Sequence, residues 1–373
     1  MAAKRVLITG GAGFIGAHVS NELLAHGYSV RVLDSLVEQV HGTARRPPSY
    51  LNSEVELVVG DVRNTELLAK TLKGVDAVVH LVALVGVGQS MYQIAEYTSV
   101  NNGGTAALME LLSLKPVEAV VVASSMSVYG EGLYRNSRGE IQIPKDRTTE
   151  QLKAAKWEVL DSEGEPLTPV PTPETKPPAL ASIYALSKYD QEVMTLLLAR
   201  AYGIHAVALR FFNTYGPFQA LSNPYTGVLS NFAARVLNGK APLIYEDGLQ
   251  KRDFVSVYDV ASACRKALEA KGANGLALNI SSGIPMTVSE IAGKAIRCLG
   301  SSGMEPEITG RYRVGDIRHC FADISRARQV LGWAPAVSLE RGLDDLAAWL
   351  EGQTAPDRAV EARAELAARG LML

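Results

Sequence analysis

The segment Leu7–Gly16, LITGGAGFIG, constrains the fold more than any other part of the chain. Before it, Arg5–Thr9 is a run of β-forming residues ending on a turn signal; after it, residues 14–27 carry apolar positions at helical spacing and stop at a glycine. The pattern predicts a strand that enters a helix through a glycine turn. There Gly10 permits the tight turn, Gly13 lets the backbone approach a phosphate and Gly16 allows close helix-to-strand packing. The free N–H groups of the helix start then face an anion, so the segment predicts a pyrophosphate site.

Strand and helix patterns alternate through the first half of the chain: strands at 29–34, 55–61, 76–84 and 119–125, helices around 66–74 and 102–113. Nearly continuous apolar strands between helices imply a parallel sheet covered on both faces, an α/β doubly wound fold. From 131 to 180 the alternation breaks into a polar stretch, rich in proline towards its end, which reads as an insertion. After a helix starting near Ile183, a buried strand is expected in 205–217, a helix in 228–240, and a return to strand and helix in 251–283. These boundaries give a dinucleotide-binding domain over 1–212 carrying the insertion. A mainly substrate-binding smaller lobe spans 213–350, with 252–282 partly rejoining the first domain, and an Ala-rich helical tail covers 351–373.

A formal charge of −2 and 20% charged residues over 373 positions give no electrostatic footprint for nucleic acid. The three cysteines, Cys264, Cys298 and Cys320, are too scattered for a disulfide framework or a CxxC metal site, so no metal is expected and a reducing compartment is. No apolar run of about 18 residues suggests a membrane span. With the first strand beginning almost at the N-terminus, the expected location is cytoplasmic.

Asp34 closes the second strand, where a carboxylate can accept hydrogen bonds from the adenosine ribose hydroxyls; that favours NAD over NADP, whose 2′-phosphate would meet a like charge. Asp61, after the third strand, can reach the adenine edge. Both also suit plain turn or cap roles, and the residues alone leave that open. In YALSK, Tyr184 and Lys188 stand i, i+4 on one helix face, so the lysine field can lower the phenol pKa towards use as a base. Ser125, in SSMSVYG, supplies a hydroxyl for the same substrate oxygen.

With these motifs, and with NNGGT, LRFFNTYGP, RDFVSVYDV and RVGDIRHCFAD, the chain resembles the extended short-chain dehydrogenases/reductases of the nucleotide-sugar epimerase and dehydratase group. The resemblance runs from residue 7 to about 333 and implies a Rossmann-type sheet, bound NAD, a nucleotide-sugar substrate and a homodimer. It places Phe14, Ile15, Val62, Leu81, Ala83 and Asn101 with the glycines at the cofactor, and brings Lys188 to the nicotinamide ribose. Asn213, Arg252 and Arg313 match positions that hold the substrate diphosphate, and Tyr245 the aromatic that stacks on the base. Each also suits a plain structural polar or core role, which the residues alone leave open.

The family's dehydratases carry an Asp-Glu pair after the serine, and its decarboxylases a glutamate; here Met126 and Ser127 stand there. No Cys-His pair for 3,5-epimerisation is visible either. Reversible oxidation at one carbinol carbon remains, and with it a 4-epimerase: Tyr184 takes the C4 hydroxyl proton, NAD takes the hydride, and the hydride returns to the opposite face of the 4-keto sugar. The insertion and the 220–255 region most resemble the bacterial dTDP-L-rhamnose 4-epimerase branch, which makes dTDP-6-deoxy-L-talose. Val85 stands where UDP-galactose 4-epimerases have lysine, and Cys320 replaces a bulky gating tyrosine found in some of them. A UDP-sugar 4-epimerase, a nucleotide-sugar reductase or dehydrogenase with exchangeable nicotinamide, and a non-catalytic NAD-binding protein are the alternatives.

Overall fold

Seven of the expected apolar runs form one parallel sheet in the computed structural model, which describes residues 3–220, 227–300, 303–313, 316–353, 364–365 and 367–371. The strands are β1 (Arg5–Thr9), β2 (Ser29–Asp34), β3 (Glu56–Val59), β4 (Ala77–His80), β5 (Ala119–Ser125), β6 (His205–Phe211) and β7 (Leu276–Ile280). Their order is β7-β6-β5-β4-β1-β2-β3, every neighbouring pair parallel. The period-2 alternation of strand side chains divides the core between the two faces. Val6, Ile8, Val79 and Val121 pack with Val19, Leu23, Val260 and Ala263 from the helices Phe14–Ala25 and Val257–Glu269. Leu7, Val78 and Val120 pack with Leu68, Leu108 and Ala199 from the helices on the other face. The doubly wound sheet is therefore what the sequence patterning predicts.

Two segments depart from expectation. The run 76–84 stays in the ladder only to His80; beyond it the chain crosses the glycine turn so closely that a Cβ on Gly10 would lie 2.9 Å from Val82 Cα. The strand Lys251–Ser256 pairs with Asn213–Tyr215 and Pro285–Thr287, forming a separate sheet, while the helix that follows it and β7 rejoin the main one. That small sheet and the helices Val228–Leu237, Val288–Cys298 and Leu339–Leu350 enclose Tyr215, Phe232, Ile291 and Leu346.

The insertion is folded. Ile141–Gln142, Leu133–Arg135 and Thr168–Val170 make an antiparallel sheet in that order, over a small core of Tyr134, Val159 and Leu167. Of the tail expected to be helical, residues 354–363 lie outside the described residues. Among the described residues no His, Cys, Asp and Glu cluster could hold a metal, and no helix is long and apolar enough to cross a membrane.

Candidate active site

Between β1 and β4 the strand order reverses, and a cavity of about 570 Å³ opens at the carboxyl ends of the strands. Gly10, Gly13 and Gly16 line it, as do Phe14 and Ile15. Gly10 has φ +71°, and a Cβ on Gly16 would meet Gly11 Cα at 2.4 Å, so both are closed on the protein side. A Cβ on Gly13 would meet nothing nearer than the Gly10 carbonyl at 3.5 Å, so its outer face is open.

Asp34 lines the cavity and is also a turn residue: Oδ2 accepts from Ala12 N at 3.0 Å and Oδ1 from Leu36 N at 2.9 Å, tying the end of β2 to the glycine turn. Asp61, Val62, Leu81 and Ala83 also face the cavity. Arg63 reaches back to the Asp61 carboxylate at 2.7 Å, and that hydrogen bond holds the Asp61 pKa below its ordinary value. Asn101 is not on the wall. It is fully buried on a π-helical turn, Thr98–Gly103, exchanging hydrogen bonds with the Leu84 backbone at 2.7 and 3.1 Å and donating to Ser187 Oγ at 2.9 Å. Such a turn widens the helix by one residue and re-aims a side chain.

Ser182 caps the helix Ile183–Tyr202 by accepting from Ala185 N, fixing where Tyr184 and Lys188 begin. Both reach the cavity wall, as does Ser125 at the end of β5. Ser125 Oγ accepts from the Ser127 hydroxyl at 2.9 Å and the Ser127 amide at 3.2 Å, which leaves its own proton for Tyr184 or a ligand. Burial pushes the Tyr184 phenol up from 10.0, and the Ser125 hydrogen bond pulls against that rise. The downward shift expected from Lys188 is therefore corrected: desolvation dominates at Tyr184, and the ammonium turns to Gln191 Oε1 at 2.6 Å. Burial takes Lys188 itself from 10.5 to about 7, opposed by Glu192.

Sequence reasoning missed what lies behind the lysine. Gln191 Nε2 donates to the Val82 carbonyl at 3.2 Å and to Thr105 Oγ1 at 2.8 Å; Thr105 donates to the Asn101 carbonyl at 2.6 Å. Because the Thr105 proton is committed to a carbonyl, His80 Nε2 donates to Thr105 at 2.9 Å and Nδ1 accepts from Thr9 at 2.7 Å. His80 is neutral, held down to about 3 by burial and by Lys188. Gln191 at i+7 from Tyr184 was the available signal, since that spacing shares the helix face.

Asn213 and Arg252 line the cavity from the smaller lobe. Arg252 donates to the carbonyls of Lys251, Arg318 and Ile317 at 2.6–2.9 Å. Tyr245 and Arg313 lie off the cavity wall against each other, the guanidinium 4.9 Å from the ring centroid, with Asp316 pairing Arg313 at 3.1 Å. Beyond them is an ion cluster with no forewarning in the sequence. Fully buried Arg318 meets Glu158 at 2.5 Å, Asp247 at 2.6 Å and Glu246 at 3.0 Å, and Arg147 of the insertion meets Glu246 at 2.9 Å. Glu131 accepts from the Arg318 and His319 amides, so the insertion is clamped to the smaller lobe. Cys320, which stands in place of the gating tyrosine of some relatives, is buried against Gly132 of the insertion and off the cavity wall, because the segment around it pairs with the insertion through Thr172 and Ala322.

Residues 6–281 match the NAD dependent epimerase/dehydratase family. The chain is 36% identical to a dTDP-L-rhamnose 4-epimerase of Burkholderia thailandensis, over 93% of this chain and 95% of that one. Its structure is similar to that of the Thermotoga maritima UDP-glucose 4-epimerase with UDP-glucose, at TM-score 0.75 and 29% identity, covering 93% of this chain and 99% of that one. The Thermus thermophilus UDP-glucose 4-epimerase in complex with NAD aligns at TM-score 0.73 with 29% identity and the same coverage. Matched along most of its length and through the strands, turns and helices that build the cavity, this chain belongs to the NAD dependent epimerase/dehydratase family.

Proposed function

We propose that the chain is an NAD-dependent nucleotide-sugar 4-epimerase that interconverts dTDP-L-rhamnose and dTDP-6-deoxy-L-talose. The observation that carries the reaction is the cavity wall at Ser125. Tyr184 and Ser125 share a hydrogen bond there, Lys188 stands one helical turn on, and the following residues, Met126 and Ser127, bring no carboxylate. Loss of water or of a carboxyl group would need such an acid or base.

The residues present fit NAD. The open face of Gly13 at a helix start suits the pyrophosphate, and Asp34, its oxygens each taken once by backbone, keeps lone pairs for the ribose hydroxyls. Bound there, the nicotinamide supplies a hydride acceptor that gives the hydride back, so the sugar suffers no net redox change. Tyr184 takes the C4 hydroxyl proton and returns it, while Ser125 donates to the C4 oxygen. The Ser125 hydroxyl opposes the desolvation that raises the phenol, and Lys188 stands one turn on at the cavity wall. Among the described residues Arg252 keeps N–H groups beyond the three carbonyls it serves, which suits the substrate diphosphate together with Asn213; Arg313 and Tyr245, stacked on each other off the cavity wall, would join the diphosphate and the base by turning towards the cavity. The similarity to the Burkholderia enzyme supports the dTDP-rhamnose assignment, as does half-exposed Val85 on the cavity wall where a UDP-galactose enzyme would have lysine. Exposed Leu186 and Leu197, three turns apart on the Tyr184 helix, support a homodimer.

The purified protein, denatured, should release NAD. Incubated with dTDP-, UDP-, GDP- and CDP-sugars and followed by NMR, it should interconvert the dTDP-rhamnose and dTDP-talose sugars without added cofactor and without C5 deuteration in D₂O. Conversion only on addition of reduced nicotinamide would replace epimerisation by reduction, and turnover of UDP-sugars alone would replace the dTDP assignment.

A further inference from the structure

The Lys188 amine is buried, yet it has a hydrogen-bonding side-chain partner that no role assigned so far uses. Its Nζ donates to Gln191 Oε1 at 2.6 Å, and among the described residues it makes no other hydrogen bond to protein. The orientation of that carboxamide is not free. The Val82 carbonyl can only accept, and Thr105 Oγ1, whose proton goes to the Asn101 carbonyl, accepts here as well; both therefore demand the NH₂ side of Gln191. The oxygen is left facing the lysine. An ammonium has three N–H groups, so one is held by Gln191 and two are turned elsewhere, on a residue that lines the cavity. The other titratable groups around the amine cannot do this. His80 on β4 is neutral with both ring nitrogens engaged, and Tyr184 is one turn away on the same helix. Glu192 is taken by Arg210 of β6 at 2.6 and 3.0 Å and by Ser124 at 2.6 Å.

We propose that Gln191 is the positioning residue for Lys188: its fixed Oε1 holds one N–H of the ammonium, keeps the amine charged in a buried setting and aims its other two N–H groups at the cavity. The inference rests on the epimerase reading for the use of Lys188, but the contact it assigns is measurable without turnover. A hydrogen bond to a charged donor stabilises the charged form, and deleting the acceptor leaves desolvation unopposed.

Two variants separate this from mere packing. Gln191→Met and Gln191→Glu both remove the NH₂ donors to Val82 and Thr105, but only the first removes the acceptor facing Lys188. In protein carrying ε-¹³C lysine, the Lys188 resonance, identified by its loss in Lys188→Met, should titrate near 7 in the wild type, well apart from surface lysines. Gln191→Met should move that titration down by about one unit or more, and Gln191→Glu should move it up by at least as much. In turnover, the alkaline limb of the pH–rate profile should move with that titration, down in Gln191→Met and up in Gln191→Glu relative to wild type. Shifts alike in the two variants, or no shift, would overturn the proposal and leave Gln191 a packing residue. If Gln191→Met fails to fold, an unshifted Lys188 in Gln191→Glu overturns it and an upward shift supports it. Absence of epimerisation by wild-type protein on the whole sugar panel would sink the epimerase reading while leaving the titration result standing.

Discussion

The two sides of the cavity use buried charge in opposite ways. On the sheet side, Lys188 has one hydrogen-bond partner, neutral Gln191, while the nearby Glu192 carboxylate is taken by Arg210, and burial displaces the lysine pKa to about 7. On the insertion side, Arg318 and Arg147 sit among Glu131, Glu158, Glu246 and Asp247. There hydrogen bonds from His319 and Arg318 hold Glu158 in its charged form, down to about 2, and bonds to Asp247 and Glu158 raise Arg318 against the opposing pull of burial, while burial raises Glu131. A buried charge with a single neutral hydrogen-bond partner is easily moved, which suits proton transfer. Charges matched in a cluster resist movement and fix two pieces of chain against each other.

The largest effect expected is on the sheet side. Tyr184→Phe keeps the ring and loses one oxygen, so melting temperature and NAD content should stay near wild type while turnover falls by about 10²–10⁴-fold or more. Retention of most activity would remove Tyr184 as the base. Next comes Arg318→Met, which takes a fully buried guanidinium from buried Glu246, left with Arg147 alone, and from the partly exposed Glu158 and Asp247. Urea unfolding should show a loss of about 3–5 kcal/mol, and a loss below about 1 kcal/mol would mean that the cluster clamps nothing.

A smaller effect sharpens the contrast by its sign. Folding depresses the Lys188 pKa from 10.5 to about 7, so the unfolded chain binds the extra proton between those values and native stability should rise with pH across that window. Lys188→Met should flatten that rise and, at pH 7, add about 1–2 kcal/mol to stability while activity is lost. The smallest concerns Glu158. Its folded pKa is also depressed, here for an acid, so its contribution is complete above 4.5 and is lost as pH falls towards 2. The side chain is 41% exposed, so solvent screening limits the difference to about 1 kcal/mol or less, and Glu158→Gln should shallow the acid limb of the melting profile by that much.

What the sequence made legible follows the same division. The glycine turn, the Tyr184–Lys188 pair and the sheet strands are local patterns of spacing, and local spacing is what a single sequence displays. Gln191 was legible in principle, sharing their helix face, but a glutamine carries no signal until Val82 and Thr105 are known to orient it. Arg318 met no such chance: Glu131, Glu158 and Asp247 reach it from distant parts of the chain, and their pairing is a product of the tertiary fold. Tyr245 and Arg313 were singled out by resemblance, and their mutual stack off the cavity wall is likewise beyond local pattern.

The hydrogen bonds running from Thr9 through His80 and Thr105 to the Asn101 carbonyl all point one way and stop at an atom that can only accept. The Gln191 carboxamide joins them but does not relay protons as a hydroxyl does. If Tyr184 draws a proton from a sugar hydroxyl as proposed, this network offers it no relay through the sheet among the described residues. An intermediate that must get back the proton it lost would then be protected from losing it on that side.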